Sequence, residues 1–259
     1  MQQARQNRKI RGGPVNCFDK VDDPRRRLLV EALVAGLFSA GFPAGIARAQ
    51  GVSGSTLAKL PPGQSIYHIA GTVSINGIPA TLQTRISPGD AIETGRNSAL
   101  IFVVGGHSMI LRSETRLVIE TGKKEAASLL ISGLRMLTGK ILSVSRGTSM
   151  QVTTATAAIG VRGTGWYAES DSEQTYFCTC YGTTDVVASN DPESKETVVS
   201  RHHDRPLYIL AKAAPGRSIR AAPFINHTDQ ELMLIEALVG RVPPFVFPSG
   251  DYTGPRRDY

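Results

Sequence analysis

Residues 71–106 read GTVSINGIPATLQTRISPGDAIETGRNSALIFVVGG, a stretch in which short apolar segments alternate with turn residues. Val73 and Ile75 alternate with polar neighbours and are followed by Asn76-Gly77, a dipeptide that strongly predicts a hairpin turn. The continuous apolar run at 99–104 is long enough for one buried strand, and two glycines end it. This stretch therefore predicts several short β-strands joined by tight turns.

The same rhythm continues through residues 66–188, where no sustained helical spacing occurs. Short strands are predicted at 116–120, at 129–131 and at 141–144, and a polar run at 191–196 predicts a surface loop. Many short strands with frequent turns are typical of an antiparallel β-sandwich or jelly roll. We therefore expect an all-β domain large enough to bury one core.

The region 190–259 is predicted to be a C-terminal extension that carries one helix at 229–239. Thr228 and Glu231 have the spacing of a capping box, and Gly240 stands where a helix usually ends. Because amphipathic helices usually pack on their own domain, we expect this one to cap the sheet. A partner-binding helix is the alternative.

Residues 24–49 have the pattern of a removable export signal. Consecutive arginines, including Arg25 and Arg26, precede a weakly apolar stretch that ends in a small-x-small pattern formed by Ala47 and Ala49. A transmembrane helix is the alternative, but a glutamate, three glycines and a proline interrupt the stretch. We expect cleavage near Ala49, and the arginine pair resembles a twin-arginine (Tat) signal.

The distribution of charge argues against binding to nucleic acid. The chain has a net charge of +7, but residues 1–49 hold nine Lys or Arg against four Asp or Glu. The remainder is nearly balanced and lacks the clustered cations that displace counterions from a polyanion. With 1–23 as a leader and 50–65 as a linker, we expect a mature chain without a stable membrane span, periplasmic or secreted.

Residues 155–168, ATAAIGVRGTGWYA, resemble the FecR-domain family. Val161, Arg162, Gly163 and Thr164 match a V-R-G-T turn that members of that family carry before an aromatic strand. The same four residues also have a plain structural interpretation. The glycine permits a backbone conformation closed to other residues, and the arginine can bond to a nearby carbonyl or carboxylate.

Two further stretches, at 71–77 and 89–106, are similar to FecR passages, so that the resemblance covers 66–189. It implies a periplasmic β jelly roll that acts as a non-catalytic binding or signalling module. Its implied partner is another cell-envelope protein or a glycan. Well-known members follow an anti-sigma segment and a membrane helix, whereas this chain has a cleavable-looking signal, so the resemblance by itself does not imply direct control of a sigma factor.

The paired cysteines predict a different activity. Cys178 and Cys180 share one strand face because side chains alternate along a strand. His202, His203 and His227 follow in the sequence, and two thiolates with two imidazoles suit zinc, or copper or iron. The alternative function is therefore a metal- or cofactor-binding envelope protein.

Other interpretations of these residues remain open. Cys178 and Cys180 are equally consistent with buried core thiols, and a disulfide between them would be strained. Adjacent His202 and His203 point in opposite directions in an extended chain, so only one reaches an ion unless the chain bends. His203 and Asp204 beside a cysteine also resemble the catalytic residues of a cysteine hydrolase. The sequence has no G-x-S-x-G, H-E-x-x-H or P-loop motif, and we expect no enzyme.

Overall fold

The computed structural model describes residues 59–122, 131–145 and 149–245. This part of the chain is built from β-strands with one C-terminal helix, which confirms the predicted all-β class. The elements are β1 (Ile66–Ala70), β2 (Val73–Ile75), β3 (Ile78–Pro79), β4 (Ala91–Thr94), β5 (Ala99–Val104), β6 (His107–Leu111), β7 (Arg116–Thr121), β8 (Ile131–Ser145), β9 (Ser149–Thr153), β10 (Ala157–Ser170), β11 (Gln174–Ala188), β12 (Asp191–Ser200), β13 (Leu207–Leu210), β14 (Ile219–Ala221) and α1 (Asp229–Leu238).

The strands form one continuous sheet in the order β14-β13-β11-β10-β9-β8-β7-β4-β2-β3. A branch leaves β8 through β6 and β5 to β1, and β12 pairs with β11. Within the described residues, β8 and β9 run parallel where they pair, and the other strand pairs are antiparallel. A sheet with such branches folds over itself, as the predicted sandwich requires.

Three long strands connect the layers because each changes its partner along its length. The first half of β8 pairs with β7 and the second half with β6 and β10. In the same way, β11 pairs with β13 through 174–177 and with β12 through 182–188. One strand can therefore contribute to both layers, and β11 presents buried residues on both of its faces.

Two glycines stand where β10 and β11 bend together. Gly163 has φ +58° at a bulge in β10, and Gly182 has φ +92° in β11. A Cβ atom at Gly182 would lie 2.9 Å from the Gly163 carbonyl oxygen and 2.5 Å from Thr164 Cγ2. The V-R-G-T element is therefore a bulge within a strand, and its prediction as a turn between strands was wrong.

Two other local predictions were wrong. The strands predicted at 129–131 and 141–144 are not separate, because β8 runs without a break over Ile131–Ser145; residues 129 and 130 lie outside the described part. The loop predicted at 191–196 belongs to β12, whose backbone pairs with β11 while its polar side chains point mainly to solvent. This hairpin spans the predicted boundary between 66–189 and 190–259.

Each face of the sheet buries its own apolar cluster. The inner cluster lies between the layers and includes Phe102, Leu117, Trp166, Phe177 and Ile209. The outer cluster lies under α1, which contributes Leu232, Leu234, Ile235 and Leu238. These four side chains pack with Ile101, Ile110, Leu142 and Val144 of the sheet. The helix therefore covers a face that would otherwise expose a large apolar surface.

The ends of α1 follow the sequence signals. Thr228 and Glu231 form the predicted capping box, and Val239 is the C-cap before Gly240, which has φ +70°. The helix thus ends one residue before the predicted 239. It contacts β6 and β8, as expected for a helix that packs on its own domain. In the described part of the chain, no helix is long and apolar enough to cross a membrane.

A buried ion pair joins α1 to the sheet. Nη2 of Arg112 donates to Oε1 of Glu231 at 2.7 Å, and the two side chains are 5% and 1% exposed. The guanidinium also lies 5.5 Å from the centre of the Tyr167 ring. Because removal of one partner leaves the other charge buried and unpaired, this pair constrains how the helix docks.

Arg112→Met is therefore expected to lower the free energy of unfolding by about 3–5 kcal/mol. The matched control is Arg135→Met, because Arg135 pairs with Glu120 at 2.6 Å with exposed fractions of 56% and 30%. A pair this exposed contributes about 1 kcal/mol or less. Urea denaturation followed by circular dichroism measures both values. Equal losses for the two variants would contradict the structural role given to the buried pair.

A second prediction concerns His107, which is buried at the start of β6. Burial, followed by the charge of Arg241, lowers the pKa of His107 from 6.5 to about 4. The unfolded chain binds this proton at higher pH than the folded chain, so stability falls as the pH drops below 6.5. This group is expected to remove about 3 kcal/mol between neutral pH and about pH 4. In urea titrations, His107→Gln should lack that part of the pH dependence, and identical pH profiles would refute the assignment.

Candidate metal centre

The two cysteines lie on the outer face of β11, under the C-terminal segment. Cys178 and Cys180 are both 0% exposed, and both are free thiols. They belong to the outer cluster with Leu232 and Ile235 of α1. The shared strand face was correctly predicted, and the structure contains no Cys178–Cys180 disulfide.

A bend after β12 brings one of the two adjacent histidines to the cysteines. His203 has φ +54°, and its backbone N–H donates to the carbonyl of Cys180 at 2.9 Å. Asp204 stabilises the bend, because its carboxylate accepts from the backbone N–H groups of Arg201 and His202. The chain is therefore not extended at the two adjacent histidines, and the bend turns His203 inward to Cys178.

His227 completes the cluster from the residue before the helix N-cap. Its ring stacks on Tyr167 with 4.5 Å between the ring centres, and the ring of His203 stacks on Phe224 at 4.1 Å. Both imidazoles are therefore held by aromatic packing as well as by hydrogen bonds. One candidate ligand atom from each of Cys178, Cys180, His203 and His227 lies within 4.8 Å of the others, and all four residues are buried.

The distances between the candidate ligand atoms have the scale of a tetrahedral zinc site. His203 Nδ1 lies 3.2 Å from His227 Nε2 and 3.4 Å from Cys178 Sγ. With usual zinc–ligand bond lengths, a tetrahedral site places two nitrogens about 3.3 Å apart and a nitrogen and a sulfur about 3.6 Å apart. His203 Nδ1, His227 Nε2 and Cys178 Sγ therefore need only small shifts to bind one ion.

The hydrogen atoms of the two imidazoles are fixed by their other partners. Nδ1 of His227 lies 2.7 Å from the carbonyl oxygen of Ile225, which can only accept, so this nitrogen carries a hydrogen. Nε2 of His203 lies 3.0 Å from Oδ1 of Asp229 and donates to the carboxylate. In neutral rings, the lone pairs of His203 Nδ1 and His227 Nε2 then face each other. A cation between them, either a metal ion or a proton, removes this repulsion.

The thiol pKa values favour one thiolate in the absence of metal. Burial raises the pKa of Cys178, but hydrogen bonding with Cys180 and the nearby His227 and His203 together bring it well below its ordinary value. Burial and the neighbouring Cys178 raise the pKa of Cys180 well above its ordinary value. Burial lowers the pKa of His203, but the hydrogen bonds with Asp229 and Cys178 outweigh it and raise the pKa to about 8.

Asp229 is a site residue that the sequence reasoning missed. It is 0% exposed at the first position of α1, and its Oδ2 lies 2.9 Å from Nε2 of His202. His202, which was predicted as a ligand, therefore contacts the carboxylate that orients His203 and does not join the cysteines. His202, His203 and Asp229 form a second group with metal-ligand spacing. An acid in the first turn of a helix is common, so the sequence contained no signal for this role.

The order Cys178, His203, Asp229 also resembles the chain of groups that activates a cysteine nucleophile. The acid in this chain of groups is Asp229. Asp204, which follows His203 in the sequence and suggested a hydrolase site, instead stabilises the bend after β12. Because Cys178 is 0% exposed, a substrate cannot reach its sulfur in this structure. The arrangement therefore suits a buried ligand set better than a nucleophile.

The V-R-G-T residues have structural contacts of their own. Val161 and Thr164 are buried, and Arg162 forms an ion pair with Asp185 on the neighbouring strand. The arginine thus bonds to a carboxylate, as the structural interpretation of this element anticipated. Gly163 lines a cavity with Tyr181 and Phe245.

The residues predicted for export, Arg25, Arg26, Ala47 and Ala49, lie outside the described residues. Cleavage near Ala49 and the twin-arginine pattern therefore stay predictions.

Comparisons with known proteins give little further information. No family model matches the chain, and no curated protein matches it. Two crystal structures of a candidate anti-sigma factor from Parabacteroides distasonis ATCC 8503 are similar, at 15% and 16% identity. In both, the match covers 51% of this chain and 58% of that one, with a TM-score of 0.40. A likeness this distant carries no conclusion about function.

The position of Asp229 yields a prediction about metal affinity. Asp229→Asn removes the charge that fixes the tautomer of His203, and losses of about 10–100-fold in affinity are usual for such outer partners. The matched control is Glu236→Gln, since Glu236 is also an acid of α1 with 0% exposure but contacts Tyr181 and Arg241. Competition between the protein and a chelator for Zn²⁺ measures the affinity. An unchanged affinity in Asp229→Asn would exclude this orienting role.

Proposed function

We propose that this chain is a non-catalytic all-β module of the cell envelope that binds a metal ion between its sheet and its C-terminal segment. The close approach of His203 Nδ1 and His227 Nε2, 3.2 Å apart beside Cys178, is the observation that carries the proposal. Four soft or borderline ligand atoms around one point match the chemistry of a structural metal site.

Zinc fits this set of ligands best. Two thiolates and two imidazoles at tetrahedral spacing are typical of zinc, and copper or iron are the remaining ions that such ligands accept. The carboxylate of Asp229 behind His203 is the outer partner that zinc-bound histidines usually have. With four protein ligands, no coordination position remains for a substrate, which supports a non-catalytic role.

The ion would join three parts of the chain. Cys178 and Cys180 come from β11, His203 from the bend after β12, and His227 from the residue before the N-cap of α1. Because the unfolded chain does not hold these ligands together, the free energy of metal binding becomes free energy of folding. The metal would therefore fix the C-terminal segment on the outer face of the sheet.

The envelope location and the role as a binding or signalling module rest on the sequence. The pattern at 24–49 favours export, and the resemblance of 66–189 to FecR domains favours recognition of another envelope protein or a glycan. A buried metal centre agrees with such a role, because it stabilises the module and leaves its surface available. Recovery of an envelope protein or glycan with the immobilised chain, from envelope extract, tests the partner.

Metal analysis tests the centre directly. The purified full chain, reconstituted with Zn²⁺ and desalted, is expected to retain about one equivalent of metal, and a chelator should lower its melting temperature. With Co²⁺, thiolate charge-transfer bands and the d–d bands of a tetrahedral site should appear. The double variant Cys178→Ser/Cys180→Ser should lose the bands, whereas Cys17→Ser, in the predicted leader, is the matched control.

The opposite result is equally clear. Less than about a tenth of an equivalent of zinc, copper or iron after reconstitution would remove the metal proposal. Thiol titration of the unfolded protein then distinguishes two buried free thiols from a disulfide formed on storage.

A further inference from the structure

A separate cavity lies where the end of α1 meets the β5–β6 turn. It has a volume of about 430 Å³ and is formed by residues 59–65, 85–87, 103–106, 238, 239 and 241. None of the four proposed metal ligands lines it. Its size is within the range of pockets that bind small molecules.

The charges around this cavity are all positive. Lys59, Arg85 and Arg241 line it, and no Asp or Glu is among its lining residues. Nε of Arg241 donates to Glu236 at 2.8 Å, but its Nη2 is buried without a hydrogen-bond partner among the described residues. A buried guanidinium nitrogen without an acceptor is costly, and a bound oxyanion would supply the acceptor.

The helix end does not neutralise these cations. A helix C-terminus carries partial negative charge on its free carbonyl groups, but here the nearest ones already accept hydrogen bonds. The carbonyl of Leu238 accepts from the N–H of Leu60 at 3.0 Å, and that of Glu236 accepts from the N–H of Arg241 at 2.9 Å. The potential in the cavity is therefore set mainly by the side-chain cations.

A nearby histidine responds to the same positive charge. After burial, the charge of Arg241 is the cause that lowers the pKa of His107 to about 4. The carboxylate of Glu236 pairs with Arg241 and offsets part of its charge at this corner of the molecule. With Lys59 and Arg85 at the exposed side of the cavity, about two positive charges remain for a ligand.

Polar and apolar residues share the rest of the cavity wall. Gln64, Ser65 and Ser87 line it, and so do Ile86, Val103, Val104 and Leu238. We propose that this cavity binds a small amphiphilic anion of the phosphate monoester class, with its oxyanion on Arg241 and Arg85 and its short apolar body against the valines. Arginine forks match the oxygens of a phosphate, and the valines give a short apolar chain a surface to contact.

Calorimetric titration of the full chain with octyl phosphate, below the concentration at which it aggregates, tests the proposal. Saturable binding at one site is expected, with no binding of octyltrimethylammonium, which has the same chain and the opposite charge. Inorganic phosphate should bind at least about tenfold more weakly, because it lacks the apolar body. Equal affinity for both phosphates would overturn the proposed contact with the valines.

Variants locate the site. Arg85→Gln and Arg241→Gln should each weaken octyl phosphate binding at least about tenfold. Arg85 is exposed, so its replacement tests binding even if Arg241→Gln, which also releases Glu236, impairs folding. The matched control is Arg116→Gln, since Arg116 is 61% exposed, pairs with Glu93 and lies outside the cavity.

Two results would overturn the proposal. One is an equal loss of affinity in Arg85→Gln and Arg116→Gln, which would indicate only nonspecific attraction to surface charge. The other is binding to phosphatidate vesicles without binding to monomeric octyl phosphate, which would place the anion on a membrane surface. Because the metal centre shares no residue with this cavity, Cys178→Ser/Cys180→Ser should bind octyl phosphate normally if it remains folded.

Discussion

The burial of β11 on both faces is the constraint on which the other features depend. Alternate residues of this strand enter the two apolar clusters, with Phe177 in the inner one and Cys178 in the outer one. A sheet face of this kind is stable in water only if another element covers it. Helix α1 and the segment before it supply that cover, and they bring His227 over the cysteines.

Covering the outer face places three acids of α1 in the protein interior, and each has a charged or ionisable partner. Asp229 contacts His202 and His203, Glu231 contacts Arg112, and Glu236 contacts Tyr181 and Arg241. Buried pairs of this type contribute little net stability compared with apolar residues, but a wrong alignment would leave their charges unpaired. The acids therefore select one position of the helix on the sheet, and that position sets the geometry of the candidate metal centre.

How far the sequence predicts this arrangement depends on whether a feature is set by neighbouring residues or by pairing with another segment. Period-two alternation correctly placed Cys178 and Cys180 on one face, and the capping box correctly located the start of α1. The inward turn of His203 needs a positive φ, which is uncommon for residues other than glycine, so no local pattern predicts it. The segment 191–196 was predicted as a loop because its residues are polar, and the sequence does not show that it pairs with β11. A contact with Cys180 decides the first of these two cases, and pairing with the adjacent strand β11 decides the second.

The free energy of burying α1, set against the repulsion between two imidazole nitrogens, indicates how the metal would act. Each of the four buried aliphatic side chains of α1 contributes about 1.5–3 kcal/mol by leaving water, before the cost of ordering the chain. The helix therefore has a substantial reason to dock without metal, unlike a zinc finger, whose small core cannot fold alone. In the docked apo form, the lone pairs of His203 Nδ1 and His227 Nε2 repel each other unless one of these nitrogens binds a proton. Metal ion and proton thus compete for one position inside an already folded module, and the ion replaces the proton between rings that aromatic packing has already oriented.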